Sequence, residues 1–217
     1  MDFIFLIVIL IFSVIIHEIA HGGVAYYLGD PTAKYAGRLT LNPLKHLDPI
    51  GSILLPTLLV IFKSPILFGY AKPVPINPYN FRDQKYGSLK VALAGPLSNL
   101  SVALIFGLAL RFISAIYLIP GLSMMFAGIV YINVLLAIFN LIPIPPLDGS
   151  HILIDLLPRF SSQIKLFFQQ YRMILFFALL YLLMMGIIPL MQVILFVYRI
   201  IAGLEAFTPL AQFFQIL

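Results

Sequence analysis

The residues best able to do chemistry form the segment His17-Glu18-Ile19-Ala20-His21, an H-E-x-x-H pattern. On a helix, residues four apart leave the same face one turn apart, so His17 and His21 can offer two nitrogen ligands to a single Zn²⁺. Glu18 lies beside them and is placed to take a proton from water rather than to bind the ion. This spacing predicts a metal-dependent hydrolytic centre. The alternative is a polar stripe packed against partner helices, which requires no particular spacing.

The surroundings of this pattern are apolar. Between Phe3 and Ile16 the only polar side chain is Ser13, and we expect one helix from about Phe3 to Leu28, closed by Gly29-Asp30-Pro31. Ionisable side chains are costly inside a membrane span, and such residues usually have a function.

A second conspicuous stretch runs from Asn140 to Gly149 and reads Asn-Leu-Ile-Pro-Ile-Pro-Pro-Leu-Asp-Gly. Its prolines end a helix and leave the carboxylate of Asp148 at membrane depth. Catalytic zinc usually takes three protein ligands and keeps one position open, so Asp148 is the predicted third ligand. The alternative is that Asp148 only caps a short helix predicted from Ser150 to Leu157.

The composition places the chain in a membrane. Of its 217 residues 62% are hydrophobic and 10% are charged, and the mean hydropathy is +1.07. A soluble domain of this size cannot bury so much apolar surface, so lipid must surround most of the chain. The net charge of +5 is small and dispersed, which does not favour nucleic acid as a partner. Because there is no cysteine, histidine and carboxylate groups must bind any metal.

We expect an all-α polytopic membrane protein with four to six transmembrane helices, forming a single domain over residues 1–217. The catalytic core would span about residues 3–155, and C-terminal helices about 171–217. Helices are predicted from Tyr86 or Leu89 to about Leu118 and from Met124 to about Ile142, with small residues allowing close helix packing. A polar loop follows around Ser161-Ser162-Gln163. Residues 173–203 fit two short spans meeting at Gly186–Pro189, or one kinked helix, and an interfacial tail follows over 207–217.

The region between the first two long helices is predicted to be irregular. Residues 35–42 alternate as a strand would, which predicts a β-like segment on the cytoplasmic side. Residues 50–62 are apolar but too few to span a bilayer, which favours a re-entrant or interfacial element. Residues 65–78 contain four prolines and should be extended. Residues 63–82 could line a water path to the metal, and could also pair with a substrate strand by edge addition.

The distribution of basic residues predicts the orientation. The stretch from Lys34 to Lys90 contains eight lysines and arginines, whereas the turn from Ile119 to Ser123 contains none. By the positive-inside rule, residues 29–88 and 143–172 face the cytoplasm and the N-terminus lies outside the cell membrane. The metal would then lie in the cytoplasmic half of the bilayer, since His17 is roughly 16 Å along the helix from its cytoplasmic end.

The H-E-x-x-H pattern together with the Asn140–Gly149 segment resembles the site-2 protease family of intramembrane zinc metalloproteases, peptidase family M50. Ala94-Gly95-Pro96-Leu97-Ser98-Asn99 is similar to the family's glycine-proline helix start. Residues 69–78, Gly-Tyr-Ala-Lys-Pro-Val-Pro-Ile-Asn-Pro, resemble a segment of its small bacterial-type members. The match covers roughly residues 13–155, the family's three-helix catalytic core.

The resemblance implies one zinc ion per chain bound by His17, His21 and Asp148, with Glu18 activating water and Asn140 polarising the scissile carbonyl. It also implies that the substrates are membrane proteins cleaved in or near a transmembrane helix.

Two other function classes compete with this one. A zinc transporter or channel could use the same ligands, but it should show inverted repeats, and this chain has one asymmetric site. An inert membrane scaffold is disfavoured because every catalytic residue type is present.

Other polar residues are harder to place from the sequence. Asn77 and Asn99 could face the cleft as substrate-binding residues. His151 follows Asp148 by three residues and is expected to lie near the metal without binding it, or to have no role. His46 is expected to be a solvated loop residue.

Overall fold

The computed structural model describes residues 2–48, 51, 72–157 and 161–215, and within these ranges the regular structure is helical, with no strand. The helices are α1 (Asp2–Tyr27), α2 (Thr32–Tyr35), α3 (Gly87–Phe112), α4 (Pro120–Asn140), α5 (Asp148–Leu156), α6 (Ser161–Met184), α7 (Leu190–Ala202) and α8 (Phe207–Gln215). Short 3₁₀ turns cover Pro43–Lys45, Pro78–Asn80 and Ser114–Leu118.

Four of these helices are long and apolar enough to cross a membrane: Phe5–Tyr27 of α1, α3, Gly121–Asn140 of α4 and Ser162–Met184 of α6. The all-α polytopic class predicted from the sequence is therefore confirmed. Helix α7 is shorter, with 13 residues. It is separated from α6 by a break in which Gly186 has a φ of +68°, so residues 173–203 form two helices rather than one.

Helix α3 is the centre of the bundle, because it packs against α1, α4, α5 and α7. The apolar core lies where α4 meets α3, α7 and α8, around Val130, Val134 and Tyr198, which are fully buried. The tail helix α8 packs Leu210 and Phe213 into the same core. The same core contains Ile9 of α1 and Ala103 and Leu110 of α3, so it joins these two helices as well.

Two local predictions are wrong. Residues 35–42 form no strand, because the N–H groups of residues 35–38 donate to carbonyls of residues 31–34 and so close the turn of α2, in which Gly37 has a φ of +63°. The polar loop predicted around Ser161 is instead the first turn of α6. Of the predicted re-entrant element over 50–62, only Gly51 belongs to the described residues, so that prediction lies outside them.

The proline-rich region is extended where it is described. Residues 72–77 run without helix or strand up to the 3₁₀ turn at Pro78. We call residues 72–77 the proline strap.

Candidate metal centre and active-site cleft

The two histidines of α1 converge as their spacing predicts. The Nε2 atoms of His17 and His21 lie 3.0 Å apart, and each residue is buried, with 7% of its surface exposed. Helix geometry alone explains this pairing, because residues four apart lie one turn apart on one face.

Helix α5 brings Asp148 to the same point. Its Oδ2 atom lies 3.1 Å from Nε2 of His17 and 3.2 Å from Nε2 of His21. Asp148 is the first residue of α5 and Leu147 is the N-cap residue before it, so Asp148 does not occupy the capping position. Within the described ranges, these three residues are the one group of histidine and acidic side chains whose ligand atoms converge in this way.

The hydrogen bonds of the imidazoles show that these atoms fit a metal ion. Nδ1 of His21 lies 2.7 Å from the Val91 carbonyl, which can only accept, so Nδ1 carries the proton. Nδ1 of His17 lies 2.6 Å from Oδ1 of Asn99, whose amide nitrogen donates elsewhere.

Both Nε2 atoms therefore point lone pairs at each other and at a carboxylate oxygen that is buried without a hydrogen-bond partner. Three acceptor atoms about 3 Å apart repel one another unless a cation lies between them, and tetrahedral Zn²⁺ places its ligands about 3.3 Å apart.

A glycine permits α3 to approach this pair. A Cβ atom on Gly95 would lie 2.3 Å from Nε2 of His21 and 2.5 Å from Nε2 of His17. Next to it, Pro96 has no N–H, which leaves the carbonyl of Ala92, a cleft residue, without its helical donor. The Gly95-Pro96 pair lies inside α3, eight residues after its first residue, and not at a helix start.

Glu18 lines the same cleft, and its carboxylate is not one of the converging ligand atoms. Its Oε2 atom accepts the backbone N–H of Val74 in the proline strap at 2.7 Å. The sequence predicts that the strap lies near the site but does not predict this contact.

The cleft has a volume of about 400 Å³. Asn140, at the end of α4, lines it and donates its amide N–H to its own helix at Leu136 O, 2.9 Å away. His151 also lines the cleft, outside the metal group. The other lining residues are His17, Glu18, His21, Pro73, Val74, Ile76, Pro78, Phe81, Ser88, Val91, Ala92, Pro146 and Asp148.

Three predicted residues lie elsewhere. Asn99 is fully buried behind His17, and Asn77 uses its side chain to cap the turn at Tyr79, so neither lines the cleft and the substrate-binding prediction is not supported for them. His46 is 2% exposed and its Nε2 bonds the Thr40 carbonyl, which contradicts the solvated prediction.

A buried polar network behind His17 was missed. Asn99 donates to Oδ1 of Asn133 at 2.9 Å and to the Ser13 carbonyl at 3.2 Å, and Asn133 donates to the Ser13 hydroxyl at 2.9 Å. Polar side chains within apolar helices were the available signal, because membrane spans tolerate them only with partners. This network fixes the orientation of the His17 ring.

Asp30 was also missed. It is fully buried in the turn after α1, and its carboxylate accepts from the Thr32 hydroxyl, the Asn77 N–H and the Asn80 amide. Burial raises the pKa of Asp30, but these hydrogen bonds outweigh that effect and hold its pKa below the ordinary value. The carboxylate thereby ties the proline strap to the end of α1.

Comparison with known proteins agrees with this geometry. A family model described as peptidase family M50 matches residues 115–185. A Bacillus subtilis protein named "Putative zinc metalloprotease YwhC" is 42% identical over 160 residues, which cover 71% of this chain and 69% of the relative. The chain belongs to peptidase family M50. The family, the zinc metallopeptidase class and the zinc cofactor predicted from the sequence are therefore confirmed.

More distant relatives of this M50 peptidase are also named putative zinc metalloproteases. Rip2 of Mycolicibacterium smegmatis is 33% identical over 63% of this chain and 51% of its own length. MJ0611 of Methanocaldococcus jannaschii is 36% identical over 44% of this chain and 50% of its own length. No solved structure gives a significant match.

Proposed function

We propose that this M50 peptidase is an intramembrane endopeptidase that cleaves membrane proteins in or near a transmembrane helix. The observation that carries the proposal is the position of the catalytic residues within the spans. His17 and Glu18 lie inside the span Phe5–Tyr27, and Gly95, which packs against the histidines, lies inside the span formed by α3.

The depth can be counted along both helices from the same end of the bundle. His17 is ten residues before Tyr27, and Gly95 is eight residues after Gly87. At 1.5 Å per residue these distances are roughly 15 Å and 12 Å. A peptide bond must therefore enter the apolar layer to reach the site, which favours transmembrane segments as substrates.

Metal binding, proton transfer and orientation of the substrate are assigned to different residues. His17, His21 and Asp148 would hold the zinc, which when bound supplies a Lewis acid for the carbonyl and lowers the pKa of water. Glu18 takes the proton from the attacking water and returns it to the leaving amine nitrogen. Asn140 is proposed to orient the scissile carbonyl, because its side chain lines the cleft and its Oδ1 and second amide hydrogen remain available.

Glu18 also bears on the transporter alternative. It lies in the cleft but outside the group of converging ligand atoms. A carrier needs ligands alone, whereas hydrolysis needs a base beside them, so the arrangement favours hydrolysis.

The test is Glu18→Gln, which keeps the size of the side chain but removes the base. We expect the variant to retain zinc and to cleave at least ~10²-fold more slowly than wild type. The assay uses a fusion protein with a single transmembrane helix, reconstituted with the peptidase in liposomes, and zinc is measured on the same samples.

Undiminished cleavage by Glu18→Gln would remove this residue from the mechanism. A wild type that cleaves no such fusion but moves zinc across the liposome would support the transporter instead.

A further inference from the structure

The proline strap contacts the proposed general base directly. We propose that the backbone N–H of Val74 is a positioning group that holds the Glu18 carboxylate in its productive orientation. The inference rests on the proposed function, since it assigns the contact a role in the proton transfer made by Glu18.

The prolines of the strap leave Val74 as the one backbone donor between residues 73 and 75. Pro73 and Pro75 have no N–H, so Val74 alone can donate from this tripeptide. Its N–H lies 2.7 Å from Oε2 of Glu18, a distance typical of a hydrogen bond to a charged acceptor. No residue that the structure describes donates to the second oxygen of the carboxylate, which leaves it to water in the cleft.

The strap is anchored on both sides of Val74. The guanidinium of Arg38, only 5% exposed, donates to the carbonyls of Lys72 and Pro73 at 3.2 and 3.3 Å. Beyond Val74, the N–H of Asn77 donates to Asp30 at 2.7 Å. Two buried charged groups thus fix the strap along α1, so that Val74 stays opposite Glu18.

Side-chain packing sets the distance between the strap and α1. Gly22 lies four residues after Glu18, on the same face of the helix. A Cβ atom at Gly22 would lie 2.9 Å from Cγ1 of Val74 and 2.8 Å from Cδ2 of Leu39, closer than packed atoms allow. A Cβ atom at the neighbouring Gly23 would meet nothing within 4 Å.

These two glycines provide a matched pair of variants. Gly22→Ala pushes the strap away from Glu18 without touching a metal ligand, so we expect kcat to fall at least ~10-fold while KM and zinc content stay within ~2-fold of wild type. Gly23→Ala should leave all three unchanged.

Adding Val74→Ala to Gly22→Ala removes the clashing methyl and keeps the N–H, so it should restore part of kcat. Equal kcat values for Gly22→Ala and Gly23→Ala, with both proteins folded and loaded with zinc, would overturn the proposal.

A spectroscopic test does not depend on activity. Pro73-Val74 is the only Pro-Val pair in the chain, so carbonyl-¹³C proline with ¹⁵N valine labels a single amide. We expect its proton to move upfield in Glu18→Ala, because the carboxylate acceptor is lost.

The two failures can be told apart. If the proton chemical shift of the Val74 amide is the same in Glu18→Ala as in wild type, the positioning contact is wrong, even when the wild-type enzyme is active. If the amide shift changes in Glu18→Ala but the wild type cleaves no membrane substrate, the proposed function is wrong and the contact between Val74 and Glu18 stands.

Discussion

At the scale of single residues, the site shows how two imidazoles and a carboxylate are accommodated in an apolar bundle. Each histidine donates its Nδ1 proton to a partner on α3, the Asn99 side chain or the Val91 carbonyl, which leaves its Nε2 free to bind. Such outer hydrogen bonds fix the tautomer and the ring orientation and raise the basicity of the ligand. The Asn99–Asn133–Ser13 network therefore belongs to the metal centre as much as the histidines do.

Asn99→Leu tests this role. The substitution removes the acceptor of His17 Nδ1 and the donor to Asn133 Oδ1, so we expect zinc affinity to fall about 10- to 100-fold. Chelator competition on the purified protein measures the change. Ser101→Ala is the matched control, because Ser101 lies on the same helix and its hydroxyl donates within that helix, to Leu97 O 2.8 Å away. Equal zinc affinities for Asn99→Leu and wild type would contradict the orienting role.

At the scale of elements, α3 decides whether the site can form. It supplies the partners of both histidines, and its backbone passes so close to them that residue 95 has no room for a side chain. The proline strap closes the cleft from the other side through Val74 and Pro73. The site is therefore an interface between α1, α3, α5 and the strap.

Gly95→Ala should destroy this interface. A methyl group 2.3 Å from Nε2 of His21 must displace both imidazoles, so we expect zinc binding to be lost and the bundle to be destabilised by about 1–3 kcal/mol through overpacking. Zinc content and thermal unfolding in detergent measure the two effects. Gly121→Ala serves as the control, because a Cβ there meets nothing within 4 Å. Normal zinc content in Gly95→Ala would show that α3 does not pack as described.

At the scale of the whole molecule, the four apolar spans and the asymmetry of charge define a proposed orientation. The described basic residues between Lys34 and Lys90 lie at the end of the bundle where α1 ends and α3 begins, and the uncharged turn 119–123 lies at the start of α4. The positive-inside rule then places the cleft on the cytoplasmic side and the N-terminus outside.

Single cysteines can test this orientation, because the chain has no cysteine of its own. Lys45 and Gly121 are both exposed and lie at opposite ends of the bundle. In intact cells, we expect Gly121→Cys to react with an impermeant thiol reagent and Lys45→Cys to react only after the membrane is opened. The reverse pattern would invert the topology and place the cleft on the outer side.

The sequence alone determined those features that follow from periodicity and spacing. The pairing of His17 with His21 depends on one helical turn, and the long apolar runs specify helices because lipid requires every backbone group to be bonded within the segment. Asp148 was predicted as a ligand, and the structure brings it to the histidines. The strand expected over 35–42 is not formed, because hydrogen bonds from the N–H groups of residues 35–38 to carbonyls of residues 31–34 outweigh a short alternating pattern.

Only the tertiary structure decided which distant groups support the site. Asn133, 116 residues from His17, and Asp30, 47 residues from Asn77, carry no spacing signal, because such contacts depend on how helices pack. The hydrogen bond from the Val74 N–H to Glu18 could not be predicted from the sequence for a further reason. Its donor is a backbone N–H, which nearly every residue has, and only the packing of the strap on Gly22 brings this one to the carboxylate.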